Sequence, residues 1–186
     1  MSHPFEKIPA ARRGAVLLGL GAAAAAVLGV LGSIYRTLPG GPQGMVALEL
    51  AGTPEHLGRM LSAWDPDAAM RLAFTLGLNF LCLFALTNAL ALACIWAAGP
   101  GRGVLARAGI LMAWGEWLAA VVWLVQNSLL ADAVLHRGQG AVAIASALSE
   151  AKFALTGVGL LFAIAAGIRT AIVRATSPAA SKSQSA

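Results

Sequence analysis

The sequence predicts an all-α polytopic membrane protein, with four transmembrane helices in a bundle and a short amphipathic helix in the first outer loop. Three observations carry that expectation. Apolar residues fill 59% of 186 positions before the 21 glycines are counted, and 11% are charged, against about 25% in a soluble domain. Mean hydropathy is +0.77, so the chain lacks the polar surface to cover a water-exposed globule. The charges leave long gaps, and the alternating pattern of a barrel strand does not fill them. The same composition excludes a disordered chain, a collagenous one and a disulfide-stapled secreted domain, because there are two cysteines and no glycine period.

Spans follow from the gaps. The chain is uncharged for 22 residues between Arg13 and Arg36 and for 30 between Arg71 and Arg102. At about 1.5 Å per helical residue, each crosses a core of about 30 Å once. Ala108 to Ala131 is a third stretch with Glu116 as its one charge. The fourth run, Phe153 to Ile168, has only 16 residues; it must recruit residues upstream of Lys152 to reach across. The expected spans are 14–35, 70–99, 108–131 and 148–169, inside one domain covering 1–174, with an unstructured cytoplasmic tail at 175–186. A cleaved secretory signal is the competing reading of the start, although the apolar run Ala15 to Gly32 exceeds the usual signal core of about 7–15 residues.

Orientation comes from the cations. Lys7, Arg12 and Arg13, then Arg102 and Arg107, then Arg169, Arg174 and Lys182 would share one side, eight of 13. By the positive-inside rule both termini are cytoplasmic, in a bacterial inner membrane. The basic balance reflects these flanks; no segment clusters enough basic residues for nucleic acid.

Span one is built from small residues. Gly19, Ala22, Ala25, Gly29 and Gly32 recur at three- and four-residue steps and line one helix face, which permits close approach by span two, span four, another membrane protein or a second copy of the chain. The outer loop, 37–69, opens with Pro39-Gly40-Gly41-Pro42 and a short apolar run, Met45 to Leu50. Thr53-Pro54-Glu55 then reads as N-cap, first helical position and dipole-matched acid. Leu57, Met60, Leu61 and Trp64 share one side of the helix that starts there, on the membrane surface or over the span ends, with Trp64 at headgroup depth. Asp65-Pro66-Asp67 repeats the signal, so span two begins near Pro66, outside the bilayer.

The chain carries no metal motif, nucleotide-binding glycine loop, nucleophile elbow or redox cysteine pair. Its histidines lie outside the hydrocarbon, against a transmembrane haem, and no cofactor is expected. Cys82 and Cys94 are about 18 Å apart along one helix, too far for a disulfide, and read as buried small apolar residues.

Polar residues inside spans cost free energy unless partnered. Asn79, Gln126, Asn127, Glu150 and Lys152 come to similar depth in the outer third. They read either as interhelical glue or as a pocket for a small ligand or lipid head group. Glu116, about 13 Å from the inner end of span three, is the deepest charge. Asn88 or Thr87 on span two lies at compatible depth, and Trp114 and Trp117 flank it in sequence. A carboxylate beside aromatic faces could exchange a lipophilic cation for a proton, as in small multidrug exporters.

Leu48-Glu49-Leu50-Ala51-Gly52-Thr53-Pro54-Glu55 followed by Trp64, Asn79-Phe80, Gln126-Asn127 and Ala151-Lys152-Phe153 together resemble a recurring pattern in small bacterial four-span proteins without an assigned activity, over residues 45–170. The resemblance implies topology, not a reaction. Those proteins usually carry an aspartate where Asn79 stands and a glutamate where Gln126 stands; this chain has neutral amides. The leading expectation is a non-enzymatic accessory or assembly protein acting through helix packing. The alternatives are a proton-coupled carrier centred on Glu116 and an enzyme or binder for lipid at the outer polar cluster.

Overall fold

The computed structural model describes residues 2–99, 103–135 and 141–176. It is all-helical among these residues, and four helices are long and apolar enough to cross a membrane. A 3-10 turn, Pro4–Lys7, precedes α1 (Ala10–Tyr35); two short helices follow, α2 (Gly41–Glu49) and α3 (Pro54–Ser62); then come α4 (Pro66–Ala98), α5 (Val104–Leu135) and α6 (Val142–Thr176). The spans are α1, α4, α5 and α6. The helix of α6 reaches Thr176, into the stretch expected to be tail, and 177–186 lie outside the described residues.

The helix starts obey local chemistry. The Thr53 hydroxyl accepts the His56 N–H at 3.2 Å, and the Asp65 carboxylate caps α4 by accepting from the Ala68 N–H. Pro54 and Pro66 occupy the first turn, where a missing N–H costs nothing. The second half of the expected Pro39–Pro42 loop and most of the apolar run after it, to which no element was assigned, form α2. Gly40, at φ +78°, turns the chain into it, a conformation that glycine adopts without a Cβ clash. The nine residues of α2 are too few to hold a helix alone. Packing holds them: Met45 and Leu48 are buried with Leu57 of α3, Leu72 and Leu76 of α4, Leu130 of α5 and Val142 of α6, and Trp64 and Tyr35 close the margin. α2 and α3 therefore cap one end of the bundle; the N-terminal turn, the end of α4 and the start of α5 lie at the other.

α4 is the central helix. It packs against α1, α5 and α6, and α5 packs along α6. Within its most apolar window 61% of α4 is buried inside the chain, against 11% of α1, so α1 is a peripheral helix held chiefly on α4. Gly109 of α5 marks a close crossing with α4, since a Cβ there would stand 2.8 Å from the Cys94 carbonyl oxygen.

The small-residue face of α1 is not what meets α4. Gly19, Ala22, Ala25 and Gly29 are exposed and Gly32 is half-buried, whereas Ala24 and Leu31 are buried. A Cβ on Gly19, Gly29 or Gly32 would meet nothing. Within the chain the expected contact with span two or four is therefore made by the side that bears Ala24 and Leu31.

Candidate functional site

At the capped end all four spans and α2 contribute polar side chains at one level. Lys152 of α6 donates from Nζ to Glu49 Oε2 at 2.6 Å and to Gln126 Oε1 of α5 at 3.1 Å. The ion pair is sealed: the two side chains are 4% and 8% exposed. The ammonium also lies 5.0 Å from the centre of the Trp123 ring and 4.8 Å from that of Phe153, within cation–π range. Moving two charges out of water costs several kcal/mol each, on the order of what a short charge-assisted bond and a second acceptor recover. Glu49 closes α2, so the pair ties the cap to α6.

Asn127 and Asn79 act at the same level. Asn127 Nδ2 donates to the Leu76 carbonyl of α4 at 2.7 Å, and Tyr35 Oη of α1 donates to Asn79 Oδ1 at 3.2 Å. Gln126 and Asn127 are adjacent, about 100° apart around α5, so one reaches α6 and the other α4. Each expected residue except Glu150 therefore joins two helices. Glu150 is exposed, and the carboxylate that serves Lys152 is Glu49, which the sequence reading left out of the cluster. Its signal was there: Glu49 is the only charge between Arg36 and Glu55, set between two leucines.

Glu116 sits elsewhere, deep between α5 and α6. It is wholly buried, with its carboxyl pressed against Gly159 of α6 so closely that a Cβ there would overlap it. Neither oxygen has a hydrogen-bond partner. Asn88 and Thr87 do not serve it: each bonds a carbonyl of its own helix at 2.7 Å, Phe84 and Leu83 respectively. Cys94 of α4 donates its thiol to the Gly159 carbonyl at 3.4 Å, which places α4, α5 and α6 around one small residue. Cys82 and Cys94 are free and buried.

Trp114 and Trp117 form a separate cluster with the N-terminal turn. The His3 ring lies 5.0 Å from Trp114 and 4.6 Å from Trp117, centre to centre, and Phe5 completes the cluster. The turn is pre-formed, because His3 Nδ1 accepts the Phe5 N–H and Glu6 accepts the His3 N–H at 2.7 Å. Burial among these groups lowers the His3 imidazole below its ordinary range, and the nearby Glu6 carboxylate opposes the shift.

Among the described residues no three His, Cys, Asp or Glu side chains converge as a metal site. No family model, curated protein or solved structure matches this chain. What the arrangement offers chemically is a set of hydrogen bonds and one ion pair that lock helix to helix, with Gln126 Nε2 and Asn127 Oδ1 left unpartnered among them, and a buried carboxyl with no partner for either oxygen.

Proposed function

We propose that this chain is a non-enzymatic accessory or assembly protein of a bacterial inner membrane, with cytoplasmic termini, acting through helix packing. The observation that carries the reading is α1: it leans on α4 with the side that bears Ala24 and Leu31 and turns Gly19, Ala22, Ala25 and Gly29 outward. In hydrocarbon no hydrophobic drive brings helices together, so close backbone approach at small residues supplies much of the association energy. The polar residues at the capped end support it from inside, because their bonds run from helix to helix and tie α1, α2, α4, α5 and α6 together behind that face. Those helix-to-helix bonds favour glue over a head-group pocket there. The cation count supports the orientation, with the capped end outside.

Affinity purification from membranes in mild detergent tests the reading. A second copy or another membrane protein co-purifies with the parent chain and is lost in Gly19→Leu/Gly29→Leu, which still melts like the parent. A strictly solitary monomer from native membranes would overturn it.

A further inference from the structure

Between α5 and α6, on the side away from the core, runs a groove of about 460 Å³ walled by Leu111, Trp114, Leu118, Leu155, Val158 and Gly159. That volume suits a drug-sized ligand. Leu111 and Leu118 are 66% and 55% exposed, so the groove opens sideways, where the bilayer would be. Gly159 is the thin place in its wall, and the Glu116 carboxyl lies against that same residue. The carboxyl has no partner for either oxygen and no ion pair among the described residues. Lys152, the one buried lysine among the described residues, is already held by Glu49.

An uncompensated acid in an apolar interior is costly, and natural membrane proteins keep such groups where they pair with something. Among the described residues none supplies the pairing group. The walls are apolar, and the one polar group behind them is an acid. Trp114 adds an aromatic face that attracts positive charge. We propose that the α5–α6 groove is a binding site for a lipophilic cation, an apolar body carrying one positive charge, with Glu116 as its counter-charge. The cation enters sideways from the bilayer and reaches the carboxyl past Gly159. One carboxyl holds either the cation or a proton, so the proton leaves to water when the cation binds. This site uses α5 and α6, not the open face of α1, and stands or falls independently of the assembly reading.

Two other titratable groups lie near. Cys94 faces Glu116 across Gly159 from α4, bonded to the Gly159 carbonyl. His3 packs against Trp114. The Glu49–Lys152 pair belongs to the capped end.

Binding of tetraphenylphosphonium to the full chain in zwitterionic nanodiscs tests the site, read by equilibrium dialysis and by Trp114 fluorescence against a Trp114→Phe control. The parent binds saturably, and Glu116→Gln, an isosteric amide whose fold is checked by its melting curve, binds at least about tenfold more weakly, a loss of about 1.4 kcal/mol. Binding to the parent weakens on acidification, because protons compete for the same oxygens, and it still does so in His3→Gln. Tetraphenylborate, equal in size and opposite in charge, does not saturate. Equal binding by parent and Glu116→Gln overturns the proposal. So does saturable tetraphenylborate binding, or pH-indifferent binding by the parent, a result that needs no variant to fold.

Discussion

Removing either half of the Lys152–Glu49 pair leaves a bare charge where water does not reach. Lys152→Met or Glu49→Gln should therefore cost about 3–5 kcal/mol, while Lys152→Met combined with Glu49→Leu should recover most of it, because well-packed apolar groups often replace a buried pair at little cost. Denaturant titration in detergent compares the three. A double variant as unstable as the singles would mean that the pair contributes more than it costs. His3 gives a pH dependence with a defined sign. Its imidazole titrates below the ordinary range when docked, so docking of the Pro4–Lys7 turn is at full strength above the free value of about 6.5. It is lost as pH falls through the docked value. Limited proteolysis should release the N-terminal turn on acidification, and His3→Gln should flatten that response. The partnership of Lys152 was not legible from sequence for a physical reason. Glu150 is its near neighbour, but residues two apart point to different sides of a helix, and the true partner is 103 residues away.

Helix starts were legible because capping is local: Thr53-Pro54 and Asp65-Pro66 settle their own backbone without tertiary help. α2 was not, since its opening glycines and prolines read as loop and only the burial of Met45 and Leu48 holds it helical. The buried side of α1 was equally hidden. Lipid and a neighbouring helix are both apolar, so a small-residue stripe says that one face allows close approach without saying which neighbour takes it. The structure gives α1 two faces with different expected tolerances. Leu31→Ala, on the buried side, should cost about 2–4 kcal/mol through lost contacts and a cavity. Gly29→Leu, on the open side, should change unfolding of the isolated monomer by less than about 0.5 kcal/mol. Thermal melts of both report the contrast, and equal losses would move the packing face back to the glycines. Gly109→Ala tests the α4–α5 crossing, where the added methyl has to push against the Cys94 carbonyl and the Ala98 side chain; about 1–3 kcal/mol of destabilisation is expected.

Across the whole molecule one arrangement recurs: polar groups face inward between spans and apolar ones face out. Large side chains such as Leu18, Phe74, Phe84, Leu111 and Leu161 are more than half exposed, a surface that water would not tolerate and lipid would. An even number of crossings then puts the N-terminal turn and the α4–α5 connection on one side and the α2–α3 cap on the other. Single cysteines test this directly, because the native Cys82 and Cys94 are buried and Ser2, Ser62 and Gly103 are exposed. With a membrane-impermeant maleimide on sealed vesicles of one orientation, Ser62→Cys should be labelled from one side and Ser2→Cys and Gly103→Cys only from the other. Labelling of Ser2→Cys and Gly103→Cys from opposite sides, or of all three from the same side, would contradict the four-span account.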